Sequence, residues 1–520
     1  MSRLVIALVT LLGLAAGTVL AGYLLLAGST DRFASLAPAR TAAYINVYLE
    51  PSPGQQMNLA GLISRLPGFA DAAALDAKVD QIIGNLFSGA GIDYATDLQP
   101  WLGDQVAIAA WPSDDVAAMP EAVVIAAVKD RSAADQSVET LLGGDDPSFV
   151  IETYEGVNLH VGTGVAYAYV EDALLIGTTS DSLTAVVDVS GGAASLADQA
   201  DFQAAMGRVP ADNLASAFVD MQALMAVTDG TAEVAGLTTA SAALIAETDG
   251  LRLTGVVPLD SGSSPSTSSE SVTSTVVDWM PSDTLASAVL FGLPGALEDA
   301  ESALGGTDAG DEALSMLDTI RALAAFGLGL DLDADLLPLL DGEAGIAITG
   351  LDGDLPHGQL ILRPGDPDAA AGSFETIVDR LIGVGAERRD EDHDGVAITI
   401  VSVPDFGEIS YAVTDGVVIL GFAPGDVLAG VGAHASGASL GASERYREAF
   451  DVAGSRSGTE AYVDIGALIG LGVLDDAGVT LPDDAHDILS QLGALAISFP
   501  SRDDAIEFHA ALTILETSAE

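Results

Sequence analysis

Ala217-Phe218-Val219-Asp220-Met221-Gln222-Ala223-Leu224 returns as Ala461-Tyr462-Val463-Asp464-Ile465-Gly466-Ala467-Leu468, at an offset of 244 residues. The same register ties Asp172-Ala173-Leu174-Leu175-Ile176-Gly177 to Gly416-Val417-Val418-Ile419-Leu420-Gly421. Toward the N-terminus, Leu98-Gln99-Pro100-Trp101-Leu102-Gly103-Asp104 matches the run from Leu336 to Glu343 at 238 to 239, and Thr41 through Gly54 matches Thr284 through Gly295 at 243 to 241. Blocks that recur in one order at nearly one spacing mark an internal duplication. Ser261-Gly262-Ser263-Ser264-Pro265-Ser266-Thr267-Ser268-Ser269 has nothing to bury and reads as a linker. The expected organisation is a first repeat over 38–260, a linker over 261–275 and a second repeat over 276–516.

Within each repeat, strand and helix periodicities alternate. Runs at 44–49, 106–111, 122–128, 149–154, 166–170 and 174–178 are β-branched or alternating and bounded by Gly, Pro or Asp, as strands are. Apolar residues at three- and four-residue spacing predict helices over 73–86, 133–142 and 182–189, and again over 311–326, 369–381 and 427–430. Tight turns such as Glu155-Gly156 and Thr414-Asp415-Gly416 predict antiparallel hairpins. The expected fold class is therefore α+β: two homologous halves, each a mostly antiparallel sheet with helices packed on one face.

From Leu4 to Gly28 no residue is charged, and 25 helical residues at about 1.5 Å each cross a hydrocarbon core of roughly 30 Å. A cleavable signal peptide usually has a shorter apolar region, so residues 1–30 read as a short cytoplasmic N-terminus with a membrane anchor. The rest is expected to be exported, with the lipid bilayer as the partner of Leu4–Gly28. Net charge is −58, from 18 Lys+Arg against 76 Asp+Glu, and only Lys78 and Lys129 are lysines. Phosphate-backbone binding draws its affinity from such bases, so nucleic acid is excluded as a ligand. With 49% hydrophobic residues and a mean hydropathy of +0.40, the chain is nonetheless apolar enough to fold. The surplus of carboxylates suits a hydrated surface in a salty setting. The absence of cysteine excludes thiolate metal sites and cysteine nucleophiles.

Chemical motifs are sparse. Gly437-Ala438-Ser439-Leu440-Gly441 spells a nucleophile elbow, but an elbow needs a preceding strand, and here the periodicity before it is helical. Gly430-Val431-Gly432-Ala433-His434-Ala435 spells a dinucleotide fingerprint at the close of a helix, the wrong place for one. Asp390-Glu391-Asp392-His393-Asp394-Gly395 begins like a calcium loop, which makes Asp390, Asp392 and Asp394 candidate calcium ligands. Position twelve is Val401 rather than glutamate, and the bland reading is an acidic hairpin. Asp331, Asp333 and Asp335 form a similar triplet without the glycine. The six histidines share no zinc-binding spacing. Trp101 and Trp111 flank a strand entrance, where an aromatic beside Pro and Gly is more often a core plug than a groove wall.

An N-terminal anchor, then Ala43-Tyr44-Ile45-Asn46-Val47-Tyr48-Leu49-Glu50-Pro51, Arg65-Leu66-Pro67-Gly68-Phe69, Gly91-Ile92-Asp93 and Leu98-Gln99-Pro100-Trp101-Leu102-Gly103 together resemble the bacterial domain-of-unknown-function 3352 family. The resemblance implies membrane-anchored or exported envelope proteins, and it brings no catalytic residues. The expected role is non-enzymatic: an ectodomain that binds an apolar or lipid-like ligand or an envelope protein, using a groove left by abundant small apolar residues. The alternative is an envelope hydrolase using Ser439 or a carboxylate pair.

Overall fold

A computed structural model describes residues 31–67, 92–113, 120–143, 149–227, 238–259, 272–295 and 331–516, apart from 353–354, 384, 394, 404–406, 472–487 and 503, together with Leu297, Ser315, Thr319 and Arg321. The expected membrane span and the helices expected over 73–86 and 311–326 lie outside the described residues, the last apart from the helical Ser315, Thr319 and Arg321. Among the described residues, no helix is long and apolar enough to cross a membrane. The chain divides into two compact units, with the boundary between Pro258 and Leu259.

The first unit contains β1 (Ala43–Tyr48), β2 (Leu102–Trp111), β3 (Glu121–Val128), β4 (Val150–Tyr154), β5 (Val157–Gly162), β6 (Val165–Val170), β7 (Ala173–Gly177), β8 (Ala215–Asp220), β9 (Thr239–Ala246) and β10 (Gly250–Pro258). Its sheet is antiparallel throughout, in the order β10-β9-β8-β1-β2-β3-β7-β6-β5-β4. Among the described residues it is accompanied by α1 (Pro53–Ser64), α2 (Arg131–Gly143), α3 (Ser180–Ser190), α4 (Ala200–Met206) and α5 (Met221–Val227). Leu183, Val186 and Val187 of α3 and Phe202 and Ala205 of α4 enter one core with Ile125, Ala166 and Leu175 of the sheet.

The second unit contains β11 (Ala286–Phe291), β12 (Glu343–Asp352), β13 (Leu355–Arg363), β14 (Glu387–His393), β15 (Val396–Val403), β16 (Gly407–Thr414), β17 (Val417–Gly421), β18 (Thr459–Asp464), β19 (Leu492–Phe499), β20 (Ser501–Arg502) and β21 (Ala505–Ile514), with α6 (Pro367–Gly383), α7 (Pro424–Ser436), α8 (Glu444–Ala453) and α9 (Ile465–Gly470). The strand order is β20-β21-β19-β18-β11-β12-β13-β17-β16-β15-β14. Apart from the two-residue β20, this is the order of the first unit, strand for strand.

Small details coincide as well. Pro38 bridges Ser195 in one unit and Pro281 bridges Ser439 in the other. Thr41 Oγ1 donates to the Pro38 carbonyl at 2.7 Å, and Thr284 Oγ1 to the Pro281 carbonyl at 2.7 Å. The hairpins turn where expected. Glu155-Gly156 and Asp415-Gly416 all have positive φ, which suits the right-handed twist of the flanking strands, and glycine takes the second place at no steric cost.

One expectation needs correction, because the helices do not keep to one face. In the second unit Ala347, Ile361 and Ile419 are buried with Val427 of α7 and Tyr446 and Phe450 of α8. Leu362 and Val418, one residue along from Ile361 and Ile419, and Val401, one along from the buried Ile400 of β15, lie on the opposite face against Phe374, Ile377 and Val378 of α6. The cause is in the sequence: Leu360-Ile361-Leu362 and Val417-Val418-Ile419 are apolar on both faces, and each face needs a cover. Of the expected linker, residues 261–271 lie outside the described residues, and Ser274 and Thr275 at its end are hydrogen-bonded to Glu343.

Candidate functional site: an apolar groove in the second unit

Ile346 of β12 lies directly opposite Leu360 of β13, and Leu360 opposite Leu420 of β17. These three form a row on the face that α6 covers further along, where the Phe374 ring lies 5.6 Å from that of Tyr411. Past that contact the face is open. Ile346, Ile348, Leu360, Ile409, Leu420 and Phe422 line a cavity of about 380 Å³, within the range of small-molecule sites, roughly 300–1,000 Å³. Ile346 is 50% exposed and Phe422 51%. Among the described residues, no Lys, Arg, Asp or Glu lines the groove.

One end has a polar margin. His357 Nδ1 stands 3.6 Å from Asp426 Oδ1, and Asp426 Oδ2 accepts the Ala423 backbone N–H at 2.9 Å at the start of α7. Buried Gln359 donates from Nε2 to the Asp426 carbonyl at 2.5 Å, while its Oε1 has no protein partner. Gly358 lets β13 close on β12, since a Cβ there would lie 2.3 Å from the Ala347 carbonyl oxygen. The groove can hold an aliphatic chain by removing apolar surface from water, worth about 25 cal/mol per Å². Among the described residues it presents no nucleophile beside a base.

Two buried polar clusters sit at the entrances of the units. In the first, Asp31 Oδ1 accepts from Tyr44 Oη (2.8 Å), Gln105 Nε2 (2.8 Å) and the Phe33 and Ala34 backbone N–H groups (3.1 and 3.2 Å). Burial raises the pKa of Asp31 and pushes the Tyr44 hydroxyl well above its usual range. In the second, the carboxylate is on the strand. Glu343, at the register position of Gln105, accepts from Ser274 Oγ (2.6 Å), Thr275 Oγ1 (2.6 Å) and the Thr275 and Val276 N–H groups (2.8 and 3.0 Å). Nearby, Tyr446 donates to Glu460 Oε1 at 2.6 Å, Glu460 Oε2 has no partner, and burial raises the Glu460 pKa. These clusters fasten turns inside the core and are shut off from substrate.

The residues singled out in the sequence are dispersed. Asp390 lies on β14 and accepts from Thr399 Oγ1 (2.9 Å) and Arg388 Nε (3.1 Å), so a cation already occupies its side. Asp392 accepts the Gly395 N–H at 3.1 Å within the hairpin, and Asp394 lies outside the described residues. Among the described residues, no three His, Asp or Glu side chains gather as metal ligands. Ser439 follows α7 and the left-handed Gly437, has ordinary extended backbone, and is 3% exposed. It has neither the preceding strand nor the strained turn of a nucleophile elbow. The fingerprint glycines lie inside α7, and the His434 ring stacks on Trp279 at 3.8 Å. Trp101 and Trp111 are both buried, and Trp101 Nε1 donates to the Asp97 carbonyl at 2.6 Å.

The model of the family described as "Protein of unknown function (DUF3352)" matches residues 4–513. The chain belongs to the DUF3352 family. No curated protein matches it. Among solved structures, crystal forms I, III and IV of TP0453 share 10% identity with it, covering 44–45% of this chain and 81–82% of theirs at TM-scores of 0.24–0.25. That likeness is too slight to bear on fold or function.

Proposed function

We propose that this DUF3352 member is a single-span membrane protein whose two units arose by duplication and stand outside the cytoplasm, and that the second unit binds an apolar, lipid-like molecule without catalysing a reaction on it. Support for the anchor comes from the uncharged run Leu4–Gly28, and support for duplication from the shared strand order and the paired Pro38–Ser195 and Pro281–Ser439 bridges. The observation that carries the binding role is the groove of about 380 Å³ lined by Ile346, Leu360, Leu420 and Phe422. A lining that among the described residues has no Lys, Arg, Asp or Glu, with His357 only at its margin, selects for aliphatic surface rather than for a charged head.

Native mass spectrometry of the full chain, extracted from its own membrane and released from the carrier in the gas phase, tests this. A stoichiometric apolar adduct is expected in the wild type. Leu360→Asp should lose it, because the new carboxylate would be desolvated by the ligand. A bare mass for the wild type contradicts the proposal.

A further inference from the structure

We propose that the end of the first unit bearing Asp31, Arg32, Asp104 and Asp172 rests on the bilayer surface. This follows from chain continuity and depends on reading Leu4–Gly28 as a span. Phe33, Ala34 and Ala37 are packed into the first unit's core. Asp31, just before them, is held by Tyr44 and Gln105, and Arg32 Nη2 bonds Asp104 Oδ1 at 2.8 Å while its Nη1 contacts Asp172. The chain is therefore locked from Asp31 onward. Three Cα steps separate Gly28 from Asp31, at most about 11 Å. The headgroup zone on one side of a bilayer is itself about 5–8 Å thick. That length is too short to lift the unit clear of the headgroups.

The sheet fixes which end faces down. Gln105 lies opposite Tyr48 where β1 ends and β2 begins, and the Val128 N–H donates to the Asp172 carbonyl at 2.8 Å, so the end of β3 and the β6–β7 turn share the Arg32 end. Exposed Lys129, one of two lysines in the chain, follows there and offers an ammonium to lipid phosphate. The β5–β6 turn at Thr163-Gly164 lies at the far end of the six-residue β6, about 20 Å away. A lipid surface is thus placed against the Asp104 and Asp172 loops and away from Thr163.

The chain has no cysteine, so single-cysteine variants can be labelled without background. Glu171→Cys and Thr163→Cys, both at exposed turns, would carry a fluorophore on the full chain in nanodiscs whose headgroups bear nitroxide quenchers. Quenching at 171 should be about threefold or more that at 163, since contact quenching fades over a distance shorter than the 20 Å strand. Equal or reversed quenching, with the chain retained in membranes after alkaline carbonate, would overturn this orientation and leave the anchor standing. Release by carbonate would overturn the anchor, and this proposal with it.

Discussion

Glu343→Ala is expected to destabilise the second unit by about 3–5 kcal/mol, since each buried donor left without an acceptor costs about 1–3 kcal/mol and solvent can reach some of them. The glutamate is 6% exposed and accepts four hydrogen bonds, two from hydroxyls and two from backbone N–H groups of Ser274 to Val276. Removing it strands those donors next to Val276, Val277 and Met280, all fully buried. Glu343→Gln keeps one acceptor oxygen and should cost about half as much. Hydrogen exchange resolved along the chain is the measurement. Amides of β11 and β12 should lose protection while those of the first unit, fastened by Asp31 and Gln105, keep theirs. A change under about 1 kcal/mol would show that solvent replaces the carboxylate readily.

Tyr446→Phe is expected to cost about 1–3 kcal/mol, because it deprives Glu460 Oε1 of its donor in a buried site. The first unit shows how to restore it. Phe202 and Ser216 stand where the second unit has Tyr446 and Glu460, and the Phe202–Phe218 rings, 5.1 Å apart, mirror Tyr446–Tyr462 at 5.2 Å. Tyr446→Phe with Glu460→Ser should therefore recover most of the loss, giving a coupling energy of about 1–2 kcal/mol in a double-mutant cycle. The pair also carries a pH signature. Burial raises the folded-state pKa of Glu460 above its unfolded value near 4.3. A raised pKa means that the folded state holds the proton more tightly, so this stabilisation is full below about pH 4 and is lost as pH rises through the folded value. The wild type should thus weaken more than the double variant between pH 4 and neutrality in matched thermal melts. Parallel curves would contradict a Glu460 pKa raised by burial.

The alternating and β-branched runs became β1, β2, β3, β4, β6 and β7 with ends displaced by a few residues; in all but the exposed β4, propensity and burial agree. β9, Thr239–Ala246, was not legible, since Thr-Ala-Ser-Ala-Ala-Leu-Ile-Ala carries little strand preference and only its place between β8 and β10 decides it. α1 and α8 left usable signals. Ser52 caps a helix with Pro53 at its first position, and Ser443 and left-handed Gly454 bracket α8. Glu343 and Glu460 were hidden among 76 acids. Aligning the halves position by position sets them against Gln105 and Ser216 and would have marked both. The groove could not be found this way. It depends on how far along the β13–β17 face α6 reaches, a tertiary fact with no local spelling.

The most direct test of an apolar-ligand role is photolabelling of the full chain with a diazirine-bearing alkyl chain, followed by mapping of the modified peptides. Modification should concentrate on the strands carrying Ile346, Leu360, Ile409 and Leu420, and should be displaced by excess unlabelled alkyl chain and abolished by Leu360→Asp. Labelling spread over the surface, indifferent both to competitor and to Leu360→Asp, would contradict a binding role for the groove.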